Sequence, residues 1–196
     1  MTVLTVYIDF KSPESYLAFH QTMTYLEEKD LEIIWNPFLV NNRISPPTLK
    51  NSETKGETHK RIREEHKKWL NLKYAKILNL PMKYPPSDNK SDLALSILPR
   101  LVEGKNNYIN LAFQYFWKEN LDLNDKHNVT ILLKALKIDT WFLEDEKKLL
   151  DKLSHQTELA KELGVIATPT YELEGELFSG REHLPWIKQR ITSINN

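Results

Sequence analysis

VLTVYIDFKSPESYLAF, residues 3–19, is the stretch that decides the fold. Residues 3–9 are mostly β-branched or apolar, which predicts a buried strand. Ser12 followed by Pro13 is the usual order of a helix N-cap and the first helical residue. Apolar residues then recur at helical spacing as far as Leu26. The stretch therefore predicts a strand that runs directly into a helix.

Hydroxyl side chains, those of Ser12 and Ser15, occupy both ends of the SPES junction, and the chain has no cysteine. A C-x-x-C motif at such a junction would be a redox site of the thioredoxin type. The lack of cysteine excludes disulfides, zinc-thiolate sites and cysteine nucleophiles. Any sulfur chemistry at this helix start therefore needs a thiol from another molecule.

Length and charge indicate an ordinary globular protein. A chain of 196 residues forms one domain by default, or one domain with a large insertion. Its 27 basic and 27 acidic side chains balance, which argues against nucleic acid or an anionic membrane as a partner. The first residues do not resemble a signal peptide, and no apolar run approaches the ~18 residues of a membrane span. We therefore expect a soluble, cytoplasmic protein, and no metal site, because the six histidines offer no set of three ligands.

The middle of the chain is helical in pattern. Residues 31–38 predict a second strand, and residues 41–54 predict a loop. From Thr54 to about Leu153 nearly every segment has helical spacing. The predicted helices there cover residues 54–80, a segment that starts at Ser91 and is bent by Pro99, and residues 108–120, 126–136 and 140–153.

The end of the chain returns to a mixed pattern. Residues 156–163 predict a short helix that ends at Gly164. Thr170–Leu173 and Glu176–Ser179 flank a two-residue turn and predict a hairpin, which a last helix follows over about 182–194. The element order predicts an α/β, thioredoxin-like fold with a large all-helical insertion. The expected domains are a thioredoxin-like domain of residues 1–45 plus 154–196 and a helical insertion domain of residues 46–153.

Three segments resemble one known family. Residues 7–18, YIDFKSPESYLA, are similar to the opening of 2-hydroxychromene-2-carboxylate isomerases and kappa-class glutathione transferases, which form the cysteine-less branch of the DsbA-like thioredoxin folds. Residues 113–122, FQYFWKENLD, agree as well, and so do residues 164–170, GVIATPT, which are followed by GELFSG at 175–180. The resemblance spans the whole chain. It implies a DsbA-like fold in a cytosolic homodimer that binds glutathione.

The resemblance also implies roles for particular residues. Ser12 would contact the sulfur of glutathione. Thr168, which precedes the expected cis Pro169, would pair through its backbone with the cysteinyl part of the tripeptide. The family binds the γ-glutamyl end with a Gly-(Ser/Asn)-Asp-Arg element, and here residues 180–183 read GREH. Glu182 and its neighbour Arg181 are the candidate residues for that end.

Some positions depart from the family pattern. Arg181 and His183 replace the usual residues of the γ-glutamyl element, and Lys11 stands where an apolar residue is more usual. The Lys11 ammonium would add positive charge to the cleft if it pointed inward. Aromatic side chains outside these motifs are expected mostly in the core, with one or two lining a substrate pocket: Trp69, Tyr74, Tyr84, Tyr115 and Trp117.

Ser12 is the candidate catalytic residue. A free thiol with a pKa near ~8.5 is only about 3% ionised at pH 7, and lowering that pKa by about two units takes roughly 2.7 kcal/mol. A helix N-terminus offers partial positive charge and unpaired N–H groups, and a hydroxyl adds one charge-assisted hydrogen bond. In the alternative interpretation, Ser12 only caps its own helix.

Two functional hypotheses follow. The first is a glutathione-dependent isomerase or transferase that acts on a small, aromatic or otherwise electrophilic substrate, with glutathione as cofactor. The second is a DsbA-like binding protein without redox activity, which would grip an extended peptide along Thr168 by strand addition. Arg181 and His183 distinguish them, because blocking of the γ-glutamyl site would favour the binding protein. A disulfide oxidoreductase would keep the fold but lacks the thiols.

Overall fold

A four-stranded mixed sheet forms the centre of the computed structural model, which describes residues 1–26, 30–40 and 54–195, and of Phe142 only the backbone. The strand order is β2-β1-β3-β4. β1 is parallel to β2 and antiparallel to β3, so that Val6 lies opposite both Trp35 and Tyr171. β3 and β4 form the predicted antiparallel hairpin. The strands are β1 Thr2–Ile8, β2 Leu31–Pro37, β3 Thr170–Leu173 and β4 Glu176–Ser179.

Helices pack around this sheet and fill the middle of the chain. A parallel pair of strands needs a crossover, and the first helix supplies it between β1 and β2. The helices are α1 Pro13–Tyr25, α2 Lys55–Ile77, α3 Asp92–Ile97, α4 Lys105–Trp117, α5 Lys126–Ala135, α6 Glu146–Glu162 and α7 Leu184–Asn195. Short 3-10 turns cover Leu98–Arg100, Trp141–Asp145 and Arg181–His183. The predicted fold, thioredoxin-like with many helices between the second and third strands, is confirmed.

The predicted helices differ most from the structure between residues 140 and 163. Residues 140–153 and 156–163 were expected to form two helices, but residues 141–145 form a 3-10 turn and α6 continues without a break from 146 to 162. The buried side chains of α6 lie on one face of the helix: Leu149, Leu153, Thr157 and Ala160. Because this face packs on both sides of the polar residues 154–156, the helix continues through them. The domain limits at 45/46 and 153/154 stay a prediction. Of the loop predicted over 41–54, only Thr54 is among the described residues, and it is the N-cap of α2.

The core concentrates behind the junction between β1 and α1. Alternate residues of β1, Leu4, Val6 and Ile8, are fully buried. An aromatic cluster then follows, with ring centroids 5.3 to 6.3 Å apart: Phe10, Tyr16, Phe113 and Trp117. Large, fully buried aromatic rings therefore pack against the junction and hold it in place. A smaller cluster packs α6 against the other face of the sheet: Tyr7, Phe38, Ala160 and Val165.

The described part of the chain offers neither a helix that could cross a membrane nor a cluster of possible metal ligands. Within residues 1–26, 30–40 and 54–195, no helix is both long enough and apolar enough to span a bilayer. Over the same ranges, no three histidine, aspartate or glutamate side chains come together as a possible metal site.

Candidate functional site

Ser12 caps α1 as the sequence predicted. Its backbone is extended, with φ −83° and ψ 115°, and its hydroxyl accepts the Ser15 N–H at 3.2 Å. Pro13 is the first helical residue, where its missing N–H costs nothing. Only 5% of Ser12 is exposed. Ser12 thus caps its helix, and its hydroxyl proton remains available for another acceptor, so whether capping is its only role stays a prediction.

The Thr168–Pro169 loop forms a second side of the site. The peptide bond between these residues is cis, as predicted. The Ser12 hydroxyl donates to the Thr168 carbonyl at 3.2 Å, across 156 positions of sequence. The Thr168 hydroxyl is buried and has no hydrogen-bond partner among the residues that the structure describes. The structure therefore brings three predicted residues together and leaves one polar atom there unsatisfied.

Glu14 forms the third side, which the sequence reasoning missed. Its Oε2 lies 3.4 Å from the Ser12 hydroxyl, while its Oε1 is 2.8 Å from the Lys67 ammonium and 3.3 Å from the Asn71 amide, which donates to it. The same amide donates to the Tyr84 hydroxyl at 3.3 Å. The acidic residue in the first turn of the predicted helix was the only signal, since its partners on α2 are more than 50 residues away in sequence.

Asp9 supports the junction from inside. It is fully buried, and it accepts the N–H groups of Lys11 and Val40 at 3.0 and 2.9 Å and the Ser91 hydroxyl at 2.8 Å. Burial raises the pKa of its carboxyl, against the opposing effect of the Lys11 charge and these hydrogen bonds. The Lys11 ammonium lies 3.9 Å from Asp9 and 3.8 Å from Asp92. Lys11 thus pairs with two carboxylates, and its charge helps to hold the segments around the site together.

Arg181 connects the end of β4 to two helices. It donates to the Gln21 side chain on α1 at 2.8 Å, and its guanidinium lies 4.4 Å from the centre of the Tyr74 ring on α2. No hydrogen bond or ion pair among the described residues joins it to Ser12 or Thr168. The Arg181 side chain therefore acts here as a clamp between α1, α2 and the β4 end.

Glu182 and His183 lie beside the cis-proline loop. The Glu182 carboxylate folds back against Gly180, so that a side chain at position 180 would collide with it. Gly180, with φ +103°, donates its N–H to the Pro169 carbonyl at 2.9 Å. The His183 ring packs on Phe178, 6.1 Å between centroids. Glu182 thus lies against the residue whose backbone binds the Pro169 carbonyl, and its role toward a ligand stays a prediction.

The aromatic side chains divide differently from the expectation. Trp117 is fully buried, and burial raises the pKa of Tyr84 to about 12. Trp69 is 55% exposed, however, and Tyr74 is also exposed, so neither belongs to the core. Tyr84 lies edge-on to Trp117, under the Lys68 ammonium at 4.6 Å. Tyr84 is the aromatic group that the Asn71–Glu14 contacts connect to Ser12.

The comparisons with known proteins identify the family and the fold. A family model described as a DSBA-like thioredoxin domain matches residues 3–192, and the chain belongs to this family. No curated protein matches the chain.

Solved structures show the same fold at low identity. A 2-hydroxychromene-2-carboxylate isomerase superposes with a TM-score of 0.77 at 19% identity, covering 98% of this chain and 95% of that one. A probable DsbA oxidoreductase from Streptomyces coelicolor gives 0.71 at 15% identity, with 98% and 89% covered. The cytosolic disulfide reductase DsbM from Pseudomonas aeruginosa, in a structure with GSH, gives 0.60 at 13%, with 98% of both chains covered. At these identities the likeness shows the fold alone.

Proposed function

We propose that this member of the DSBA-like thioredoxin domain family is a glutathione-dependent isomerase or transferase for a small, aromatic or otherwise electrophilic substrate. One observation carries the proposal. A buried serine hydroxyl, that of Ser12, stands at the N-terminus of a 13-residue helix where a redox member of the fold would need a thiol. We further expect it to work in the cytoplasm as a homodimer.

The residues around Ser12 fit an extended, thiol-bearing peptide. The buried Thr168 hydroxyl has no partner within the described residues, so it would gain a hydrogen bond if binding exposed it to a ligand amide or carboxylate. The N-terminal turn of α1 contributes partial positive charge to a sulfur placed over Ser12. Two structures of the same fold, a 2-hydroxychromene-2-carboxylate isomerase and a disulfide reductase with GSH, are compatible with such a ligand.

Ser12 has to change its hydrogen bond to act on a sulfur. Its hydroxyl has one proton, and the Thr168 carbonyl at 3.2 Å is an acceptor for it in the structure. A thiolate is a charged acceptor and competes well with a neutral carbonyl, because charge-assisted hydrogen bonds are about twice as strong as neutral ones. Ser12 then donates to sulfur while it still accepts the Ser15 N–H, so that the helix cap is kept.

The chemistry itself comes from the cofactor. When bound, glutathione supplies a thiolate that adds reversibly to a conjugated carbon of the substrate and leaves after rotation, or stays on the product of a transferase. The chain lowers the cost of ionising the thiol through Ser12 and the start of α1. Thr168 and Pro169 position the tripeptide, and Glu182 is expected to take its α-amino end, next to Arg181.

One observation favours the second hypothesis, a peptide-binding protein without redox activity. The side chain of Arg181 is already engaged with Gln21 and Tyr74, and it is not held toward the cis-proline loop. A γ-glutamyl group would have to bind beside this clamp or displace it. Such a protein would bind an extended peptide along Thr168 by strand addition and would not respond to the Ser12 hydroxyl.

Calorimetric titration with reduced glutathione separates the two hypotheses. We expect binding to the wild type, with ultraviolet absorbance of a thiolate in the complex, and a weaker thiolate signal in Ser12→Ala. Because Ser12→Ala also removes the helix cap, Ser12→Asn is the control that keeps a capping side chain. If millimolar glutathione does not bind to the wild type, the enzyme proposal fails and extended peptides become the ligands to test.

A further inference from the structure

Glu14 places a carboxylate beside the Ser12 hydroxyl, within hydrogen-bond distance of it. One carboxylate oxygen, Oε2, is 3.4 Å from that hydroxyl, and the other is held by Lys67 at 2.8 Å and Asn71 at 3.3 Å. The Glu14 side chain is 25% exposed, whereas that of Lys67 is 62% exposed. A partly buried negative charge thus faces the site, and its counter-ion stands in solvent.

This arrangement makes two acceptors compete for one proton. The Ser12 hydroxyl can donate either to Thr168 O or to Glu14 Oε2. When it donates to Glu14, only oxygen lone pairs face a ligand, and these suit a thiol S–H better than a thiolate. The negative charge of Glu14 also opposes a second negative charge nearby. Both effects keep a sulfur at Ser12 protonated, against the start of α1, which favours the thiolate.

We propose that Glu14 and Lys67 form a pair that sets the acidity of a sulfur held at Ser12: Glu14 raises the thiol pKa and Lys67 offsets part of that effect. The identity of the sulfur as that of glutathione rests on the proposed function. A thiol is the best attacking group when its pKa is near the ambient pH, because a very acidic thiol is a poor nucleophile. The Glu14–Lys67 pair opposes excessive acidity at a site that must both add a thiolate and release it.

Other charged groups near the site have partners of their own. The Lys68 ammonium lies over the Tyr84 ring, and Tyr84 accepts from Asn71. Lys11 is paired with Asp9 and Asp92 in the segments that precede α1 and begin α3. These groups are common to every variant below, so differences among the variants report on the Glu14–Lys67 pair.

The chain allows a test that does not need glutathione. Because it has no cysteine, Ser12→Cys introduces a single thiol at the position of the hydroxyl, and its ionisation can be followed by ultraviolet absorbance over a pH series. The variants to compare are Ser12→Cys alone and the same variant with Glu14→Gln, with Lys67→Met or with Lys73→Met. Lys73 is the matched control, a lysine on α2 that lies over Trp69 at 5.1 Å.

The two members of the pair should move the ionisation in opposite directions. Glu14→Gln should increase the ionisation constant of the thiol by about three- to tenfold, since it removes a like charge and a competing acceptor. Lys67→Met should decrease it by about two- to threefold, less because Lys67 is exposed. Lys73→Met should leave it unchanged. An unchanged constant in Glu14→Gln, or equal effects of Lys67→Met and Lys73→Met, overturns the inference.

Folding and ligand binding are measured separately. A thermal melt of each variant shows whether it is folded, and Glu14→Asp is a second variant that shortens the reach of the carboxylate while keeping its charge. If the thiol responds as expected but glutathione does not bind to the wild type, the proposed function fails and the Glu14–Lys67 pair stands. If glutathione binds and the thiol does not respond, the function stands and the pair is refuted.

Discussion

The two walls that enclose the Ser12 hydroxyl are built in different ways. The wall formed by the β1–α1 junction and the cis-proline loop continues into the aromatic core, where the fully buried Trp117 donates its indole N–H to the Phe10 carbonyl at 2.9 Å. The wall formed by α2 has only Asn71 and Ala75 buried among its 23 residues. The first wall is rigid and closely packed, and the second carries charged side chains.

This difference indicates where the site can change at little cost. Substitutions in a close-packed core lose transfer free energy and leave cavities, whereas exposed helix positions tolerate exchange. α2 begins with a capping box between Thr54 and Glu57 and carries mostly charged side chains, so its helical state depends little on the core. Substitutions at exposed α2 positions such as Lys67 are therefore expected to leave the fold intact.

Replacing one tryptophan in each wall compares how much tight packing each wall contributes to the free energy of unfolding. Trp117→Ala should reduce the free energy of unfolding by about 3–5 kcal/mol, because it empties a fully buried site and leaves the Phe10 carbonyl without its donor. Trp69→Ala, at a 55% exposed position on α2, should cost no more than about 1 kcal/mol. Urea unfolding of both variants provides the comparison. Equal losses would show that α2 is as tightly packed as the junction.

Asp9 makes the stability of the first wall depend on pH. At acidic pH Asp9→Asn should cost about 1–3 kcal/mol, since the amide brings two N–H groups among N–H and O–H donors, where the neutral carboxyl brings only one O–H. Burial raises the pKa of Asp9 in the folded protein above its ordinary 3.8, so the folded state binds its proton more tightly than the unfolded state. The stability contributed by Asp9 is therefore full below pH 3.8 and falls as the pH rises through the folded pKa.

Urea unfolding of wild type and Asp9→Asn at several pH values from 4 to 8 tests this sign. The difference in free energy of unfolding between the two proteins should be largest at the acidic end and should decrease toward neutral pH. An increase with pH would mean that Lys11 and the three hydrogen-bond donors outweigh burial and lower the pKa.

Some of this site could be predicted from the sequence because its signals are local. The order Ser12-Pro13 after an apolar strand specifies a helix cap, and residues 164–170 carried the resemblance that placed Thr168 before a cis proline. The continuity of α6 was missed because residues 154–156 are polar and interrupt the apolar pattern. Leu153 and Thr157 are buried on the same face of this helix, but that burial depends on tertiary packing and cannot be read from the local sequence.

The contacts of α2 could not be predicted for a related reason. Glu14 and Lys67 are more than 50 residues apart, and which face of a charged helix meets α1 depends on packing that periodicity does not encode. Trp69 and Tyr74 belonged to a set of aromatic side chains expected mostly in the core, but α2 packs through Asn71 and Ala75 and leaves these two rings exposed. On a helix whose residues are mostly charged and exposed, an aromatic side chain does not by itself predict a buried position.

Arg181 joins the two walls and should have an intermediate effect. Arg181→Ala removes the hydrogen bond to Gln21 and the contact with the Tyr74 ring, which should cost about 1–2 kcal/mol in the free energy of unfolding. Arg190→Ala is the control, because that guanidinium is exposed and lies 3.7 Å or more from its acidic partners. Calorimetry with glutathione on the same variants separates the roles. A loss of affinity greater than the loss of stability would make Arg181 a ligand-binding residue.

Two threonines of the first wall distinguish an atom kept for a ligand from one that serves the fold. The Thr170 hydroxyl donates to the Ala167 carbonyl at 2.8 Å, and Thr170→Val should cost about 1 kcal/mol of unfolding free energy. The Thr168 hydroxyl has no partner among the described residues, so Thr168→Val should leave stability unchanged or raise it by up to about 1 kcal/mol. Thermal melts give both values, and glutathione titration completes the test. A stable Thr168→Val variant that binds glutathione severalfold more weakly would assign the unsatisfied hydroxyl to the ligand, whereas unchanged affinity would show that the ligand does not use it.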